Sequence, residues 1–415
     1  MFTGNWVPPT EENDMPNVCF YFQVHQPWRL RRYSVFEVGE RHDYFSDELN
    51  ARIMAKVAAK SYLPANRLML ELIHRHNGRF NIAYSISGVA LEQMMRFVPE
   101  VLESFRELAA TGCVEFLGET YHHSLAALGD ESEFRAQVRL HSELTERTFG
   151  QRPRVFRNTE LIYNDRIGQM VSELGFAGAV TEGADDILGW RSPNFVYRHP
   201  QAALGLLLKN YKLSDDVAFR FSNRGWGEFP LTAEKYGRWL HAIAGSGEVV
   251  NLFMDYETFG EHQWQETGIF EFMRALPSRV LSHGDWGFVT PSLALAQSRP
   301  VADMPFGRTV SWADTERDTS AWLGNELQSD AFARYYELGS KLKGRNNPAV
   351  VDLWRRLGTS DHFYYMCTKW YADGDVHAYF SPYESPYEAY INFMNVLSDL
   401  SESLLWQRSA EAQVA

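Results

Sequence analysis

The sequence predicts an α/β fold: a seven-stranded (β/α)7 TIM-like barrel over residues 17–315, followed by a helical C-terminal subdomain over 316–415. Residues 1–16, rich in Pro and acidic side chains, read as an irregular N-terminal segment. Three observations lead to this fold. Short apolar runs alternate with helical patterns about seven times, which implies a parallel sheet. That many units favours a closed barrel over an open, doubly wound sheet. Beyond residue 315 the strand pattern stops, and helical periodicity takes over.

The elements follow in order. NVCFYFQVHQP, from Asn17, is a near-continuous apolar run ending at His25, as expected of a strand buried on both faces. A helical stretch runs from about Asp47 to Ile73. FNIAYSI (80–86) is the second strand, and ALEQMMRFVPEVLESFRELAA is helical with a possible break at Pro99. CVEFL (113–117) is the third strand, followed by the helix ESEFRAQVRLHSELTERTF. RVFRNTE (154–160) is the fourth; the helix after it takes Asn164 or Asp165 as cap and stops at Gly175. FAGAV (176–180) is the fifth. Residues 182–230 read as long irregular excursions. A helix near 232–244 precedes VVNLFMD (249–255), and GFVTP (287–291) is the last strand. The tail segments AFARYYELGSKL, AVVDLWRRLGT and YEAYINFMNVLSDLSESLL are helical.

Composition narrows the function. Apolar residues make up 45% and charged residues 22%, which is ordinary for a globular enzyme. A net charge of −13 without a basic stripe argues against nucleic acid, but does not repel a neutral polysaccharide. Many of the 12 Trp, 20 Tyr and 27 Phe must sit in the core, and their abundance is also compatible with a cleft that stacks on sugar rings. Cys19, Cys113 and Cys367 are odd in number and widely spaced, so neither a disulfide framework nor a zinc knot is expected. No apolar run reaches membrane-span length, and the N-terminus lacks a leader pattern, so a cytoplasmic location is expected.

Five segments carry candidate chemistry. Functional groups in barrels gather at strand C-termini, and His25, Glu160 and Asp255 each end a predicted strand. Glycoside hydrolysis needs two carboxyl groups flanking one bond, about 5–5.5 Å apart in a retaining enzyme. Glu160 and Asp255 are the candidate pair, although Glu160 could equally cap a helix, and Asp255 could belong to an acidic loop or hard-cation site. Glu257, His262 and Trp264 follow Asp255. His25, Gln26 and Trp28 offer hydrogen bonds and a stacking face, or a satisfied core histidine. Glu115, Glu119 and His122 stand in CVEFLGETYHHSLAAL, whose spacing is not that of a metal helix. Asp361 lies among His362, Phe363, Tyr364, Tyr365, Trp370 and Tyr371, where helix packing explains part of the aromatic content.

In this order the five segments resemble the sequence regions of glycoside hydrolase family 57. His25-Gln26-Pro27 is similar to the family's first region and Gly112–Phe116 to the second. Glu160 falls at the nucleophile of the third, Asp255 at the proton donor of the fourth, and Asp361 in the fifth. The resemblance spans residues from about 17 to 390 and looks closest to the α-amylase and α-amylase-like group. It implies a barrel with a helical region and retaining double displacement on α-1,4-glucans; no cofactor or metal is expected, because no recognisable ligand spacing is present. The remaining candidates then become substrate-binding residues. Two positions depart from the family's usual pattern: Thr159 stands where proline is common before the nucleophile, and His262 where an aromatic is common.

Three other readings stay open. The same scaffold serves 4-α-glucanotransferases and branching enzymes. A metal-dependent relative such as a polysaccharide deacetylase would use His25, His122 and Asp255 as ligands. A catalytically weak glucan-binding protein would need neither. The oligomeric state is not legible.

Overall fold

The structure is a computed structural model and describes residues 16–342, 347–369 and 381–414. The irregular segment expected at 1–16 lies, but for its last residue, outside these, as do Trp370 and Tyr371.

Among the described residues, eight strands form two four-stranded sheets. They are β1 (Asn17–Val24), β2 (Ile82–Ile86), β3 (Val114–Phe116), β4 (Val155–Arg157), β5 (Gly178–Glu182), β6 (Val196–Arg198), β7 (Gly205–Lys209) and β8 (Val249–Asp255). The sheet orders are β3-β2-β1-β8 and β4-β5-β7-β6. Every ladder is parallel except β6–β7. The two sheets meet where Gly118 N donates to Val155 O (2.9 Å) and Arg157 N to Gly118 O (2.7 Å). At the other side, just past β7, Asn210 N donates to Asn251 O of β8 (2.8 Å).

The expected parallel α/β architecture is present, but the strand list differs in two places. The segment 182–230, expected to be irregular, contains β6 and β7; the run GLLLK is too short and too close to turn residues to stand out. The expected strand at 287–291 pairs only through one parallel bridge, Val18 with Phe288, before the helix Pro291–Gln297 begins.

Alternation in the strands explains where the site sits. In β1, Val18, Phe20, Phe22 and Val24 join an outer core with the helices, while Cys19 and Tyr21 face an inner core. In β8, Val250, Leu252 and Met254 face outward, and Val249 and Phe253 inward. Strands of both sheets, through Ala83, Val155, Val180 and Leu207, share that inner core. The inner face turns polar toward the strand C-termini: Gln23 follows Tyr21, Arg157 follows Val155, and Asp255 follows Phe253. Burying such groups is costly unless they are paired or serve a ligand.

The helical tail packs into the same core as the second sheet. Trp354, Phe363, Phe393 and Leu400 cluster with Phe156, Ala179 and Leu206. Trp354 Nε1 donates to Tyr335 O (3.0 Å), and its ring stacks on Tyr335 at 4.8 Å. The helix expected from Asp47 to Ile73 is interrupted by a π segment, Ala58–Tyr62. Gly260 makes room for it: a Cβ there would lie 2.0 Å from Lys60 O, and its φ of +105° suits only glycine. The turn carrying Glu257 thereby presses against Tyr62.

Candidate active site

One cavity of about 980 Å³ opens among the strand C-termini and the loop that follows Val310. Seven of the twelve predicted residues line it: His25, Gln26, Glu160, Asp255, Glu257, His262 and Asp361. Glu119 stands directly behind, hydrogen-bonded to a lining residue. The other four lie elsewhere.

Glu160 sits in the tight turn after β4. Its φ of +57° and that of Leu161 (+52°) are left-handed, an uncommon state for side-chain-bearing residues that gathers at functional sites. His123 (+50°), Asp314 (+55°) and Arg317 (+48°), which also line the cavity, share it. Glu160 Oε1 lies 2.9 Å from His123 Nε2, and Glu160 Oε2 accepts from Trp312 Nε1 at 2.6 Å. Burial alone would raise the Glu160 pKa. The hydrogen bond and charge of His123, with Arg157 and Trp312, outweigh it and hold the carboxyl below its ordinary range. Glu160 is therefore an anion at neutral pH.

His123 is the hinge of this arrangement. Its Nδ1 lies 3.0 Å from Glu119 Oε2. Burial opposes its charge, but hydrogen bonds to Glu119 and Glu160 raise its pKa to about 9. Both ring nitrogens accordingly carry protons and donate to the two carboxylates. Glu119 is fully buried. Burial would raise its pKa, yet His123 brings it down to about 2, and Ser85 Oγ also donates to it at 2.9 Å.

His25 stacks on His123, with centroids 3.9 Å apart. Burial, then the His123 charge, lowers its pKa, so it is the neutral member of the pair. Its Nε2 lies 2.9 Å from Asp361 Oδ2, and Nδ1 lies 2.7 Å from Ser87 Oγ. Those partners set the tautomer: Nε2–H donates to the carboxylate, and Nδ1 accepts from the hydroxyl. Burial would raise the Asp361 pKa, but His25 and His123 hold it well below the usual carboxylate range. Asp361 comes from the helical tail, which thus supplies one wall of the cavity.

Asp255 has the opposite environment. It ends β8 in register with Gln23 of β1. Burial, then the charges of Glu257 and Glu160, push its pKa well above the ordinary value. Burial and these neighbours therefore favour the neutral, protonated form of Asp255. Glu257 is raised to about 7 by burial, against hydrogen bonds from Tyr62 Oη and from Gln26 Nε2, the latter at 3.3 Å. His262 lines the same wall, and burial lowers its pKa to about 4.

Four predicted residues do not reach the cavity. Trp28 is buried, donates to Glu92 Oε2 (3.0 Å) and lies under Arg96 and Arg356, so it has no free face for a sugar. Glu115 accepts from Ser292 N (2.9 Å) and from its hydroxyl, capping the helix Pro291–Gln297. His122 is buried with Nε2 3.8 Å from Asp352 Oδ1, so His25, His122 and Asp255 are not brought together as a ligand set. Trp264 is 62% exposed, outside the cavity.

The sequence reading missed His123 as a site residue, and with it Arg157 and Trp312. Arg157 is wholly buried, lines the cavity and has no hydrogen-bond partner on Nε or either Nη atom among the described residues. Its guanidinium carbon lies 5.0 Å from the Phe253 ring centroid. Period-two counting in RVFRNTE would have found it, because Val155 and Arg157 share the inner face.

Residues 19–305 match the model of Glycosyl hydrolase family 57. Over 398 residues the chain is 43% identical to the protein named "Putative alpha-amylase" from Methanocaldococcus jannaschii, covering 92% of this chain and 83% of that one. It resembles the crystal structure of 4-alpha-glucanotransferase from Thermococcus litoralis with a TM-score of 0.63 at 15% identity. That match covers 84% of this chain and 56% of the enzyme, so the chain spans little more than half of it. The branching enzyme of Pyrococcus horikoshii aligns with a TM-score of 0.64 at 16% identity, covering 87% of both chains. At these identities the two structures speak for the fold alone.

Proposed function

The chain belongs to glycosyl hydrolase family 57, and on that premise we propose that it cleaves α-1,4-glucans with retention of anomeric configuration. The single observation that carries this reading is the opposed environment of two acids in one cavity. Glu160 is held ionised by His123, and Asp255 is held protonated by burial and its acidic neighbours. Such a split assigns nucleophile and acid.

Asp255 donates its proton to the glycosidic oxygen while Glu160 attacks the anomeric carbon, giving a glycosyl-enzyme. Esterification removes the charge of Glu160, one of the causes that raised the Asp255 pKa. Asp255, left as a carboxylate, then takes a proton from water as that water attacks the anomeric carbon and the bond to Glu160 breaks, which releases the sugar and restores both acids. A glucan hydroxyl in place of water gives transfer. Gln26, Glu257, His262 and Asp361 surround the sugar as hydrogen-bonding walls. We read the seven strands that pair in parallel, β1 to β5 with β7 and β8, as one (β/α)7 barrel, with the tail from 316 as a subdomain closing its mouth. We place the protein in the cytoplasm, on its three unpaired cysteines. No helix among the described residues is long and apolar enough to cross a membrane.

The test is incubation with maltooligosaccharides, amylose and glycogen, with products resolved by size, linkage and initial anomer. Shorter α-anomeric products support the reading. Longer chains or new α-1,6 points move it to glucan transfer or branching, and β-anomers formed first would contradict it.

The pH dependence is a second expected result. kcat/KM falls on the acid side as Glu160 gains a proton, below the ordinary glutamate range. It falls on the alkaline side as the Asp255–Glu257 pair loses its proton, above the ordinary carboxylate range, with Glu257 raised to about 7. A kcat/KM profile flat across that alkaline side would remove Asp255 as the acid.

A further inference from the structure

The loop after Val310 makes an unusual contact with the proposed nucleophile. Trp312 Nε1 donates to Glu160 Oε2 at 2.6 Å, and Trp312 N donates to Glu160 O at 3.2 Å. The indole is fixed from two further sides. Phe253 of β8 meets it edge-on at 5.2 Å, and Lys209 Nζ of β7 lies 5.1 Å from its ring centroid. Lys209 is almost wholly buried, held by Glu182 (3.5 Å) and Asp215 (3.2 Å). Arg317, from the same loop as Trp312, closes this group with contacts to Glu182 at 3.0 Å and Asp215 at 3.3 Å. The mechanism above uses Trp312 only as one of the groups that keep Glu160 ionised, and makes no use of Lys209.

We propose that Trp312 is a positioning residue for the Glu160 carboxylate, fixing Oε2 in the plane set by the His123–Oε1 contact, and that Lys209 and Phe253 clamp the indole for that task. The proposal rests on Glu160 being the nucleophile. A carboxylate bonded through one oxygen still rotates about its last torsion; a donor on the second oxygen stops it. Attack requires a lone pair aimed at the anomeric carbon, so misorientation costs rate rather than binding. The indole N–H is a neutral donor, so it orients the anion while withdrawing less charge from it than a second cation would. The ammonium beneath the ring polarises the indole and strengthens that donor.

The experiment uses Trp312→Phe, which keeps an aromatic ring and removes the N–H, and Trp312→Met as a second variant without a donor. Trp312→His restores a ring N–H. Thermal unfolding checks that each is folded. Losing one hydrogen bond to a charged group predicts that kcat on maltooligosaccharides falls about 10–100-fold in the Phe and Met variants, with KM nearly unchanged. Partial recovery is expected in the His variant.

A second readout does not depend on turnover. In protein labelled with 13Cδ-glutamate, the Glu160 resonance is assigned by its disappearance in Glu160→Gln. Its titration midpoint should rise in Trp312→Phe. The His123 and Arg157 cations, the Asp255 carboxyl and the Tyr364 phenol face Glu160 unchanged. An unmoved midpoint overturns the proposal, whatever kcat does. So does a raised midpoint with unchanged kcat, or a rise in KM alone, which would make the indole only a sugar-facing wall. If the wild-type protein cleaves no glucan, the function proposed above fails, while the titration still decides the Trp312–Glu160 contact.

Discussion

Replacing Glu160 with Ala should abolish turnover, lowering kcat about 10⁴-fold or more while leaving the fold intact. The reason is that no neighbouring group replaces it. Burial and acidic neighbours favour the protonated form of Asp255, Glu119 is engaged by His123 behind the cavity, and Asp361 is bound to His25. The turn also tells in favour of tolerance: Glu160 holds a left-handed φ of +57°, which alanine reaches at a modest cost. Azide sharpens the prediction. With an activated α-glucosyl fluoride, azide can enter the space vacated by the carboxylate and yields the inverted β-glucosyl azide. Product configuration by NMR decides it, and an α-azide would place the nucleophile elsewhere.

Asp255→Ala carries the second large effect, and its pattern differs. An acid/base matters most where the leaving group is poor, so kcat/KM on maltooligosaccharides should fall about 10²–10⁴-fold. An α-glucosyl fluoride needs no proton to depart, so the glycosyl-enzyme still forms on Glu160 and accumulates. Azide then attacks from the face Asp255 occupied and gives the α-glucosyl azide, with retained configuration. Equal loss on the natural and the activated substrate would contradict the assignment of Asp255. Glu257 cannot stand in for it, because Tyr62 and Gln26 hold its carboxylate.

Much of this site is visible in the sequence because strand termini are visible. Six of the eight strands coincide with apolar runs, and Glu160 and Asp255 stand just after β4 and at the end of β8. What stays hidden depends on contacts between distant segments. Trp312 meets Glu160 across 152 positions, and Asp361 meets His25 across 336; no local pattern encodes either. The family resemblance singled out Asp361, whereas Trp312 lies outside its motifs. Trp28 misleads in the opposite sense. It follows His25-Gln26-Pro27 closely enough to suggest a stacking surface, but the indole is buried under two arginines. Glu115 misleads because a carboxylate within a strand looks functional, whereas here it caps a helix whose partner residue is 177 positions away. Lys209 and β7 are lost for a simpler reason: five residues set among Gly, Asn and Pro read as loop.

The most direct measurement traps the covalent species. Wild-type protein is treated with a 5-fluoroglycosyl fluoride, which forms its glycosyl-enzyme faster than it is released, then digested and sequenced by mass spectrometry. The modified residue should be Glu160, with no labelling in Glu160→Gln and undiminished labelling in Asp255→Asn. A sugar found on any other side chain, or a substrate turned over with inversion and no adduct at all, would show that these two acids do not face a common anomeric carbon.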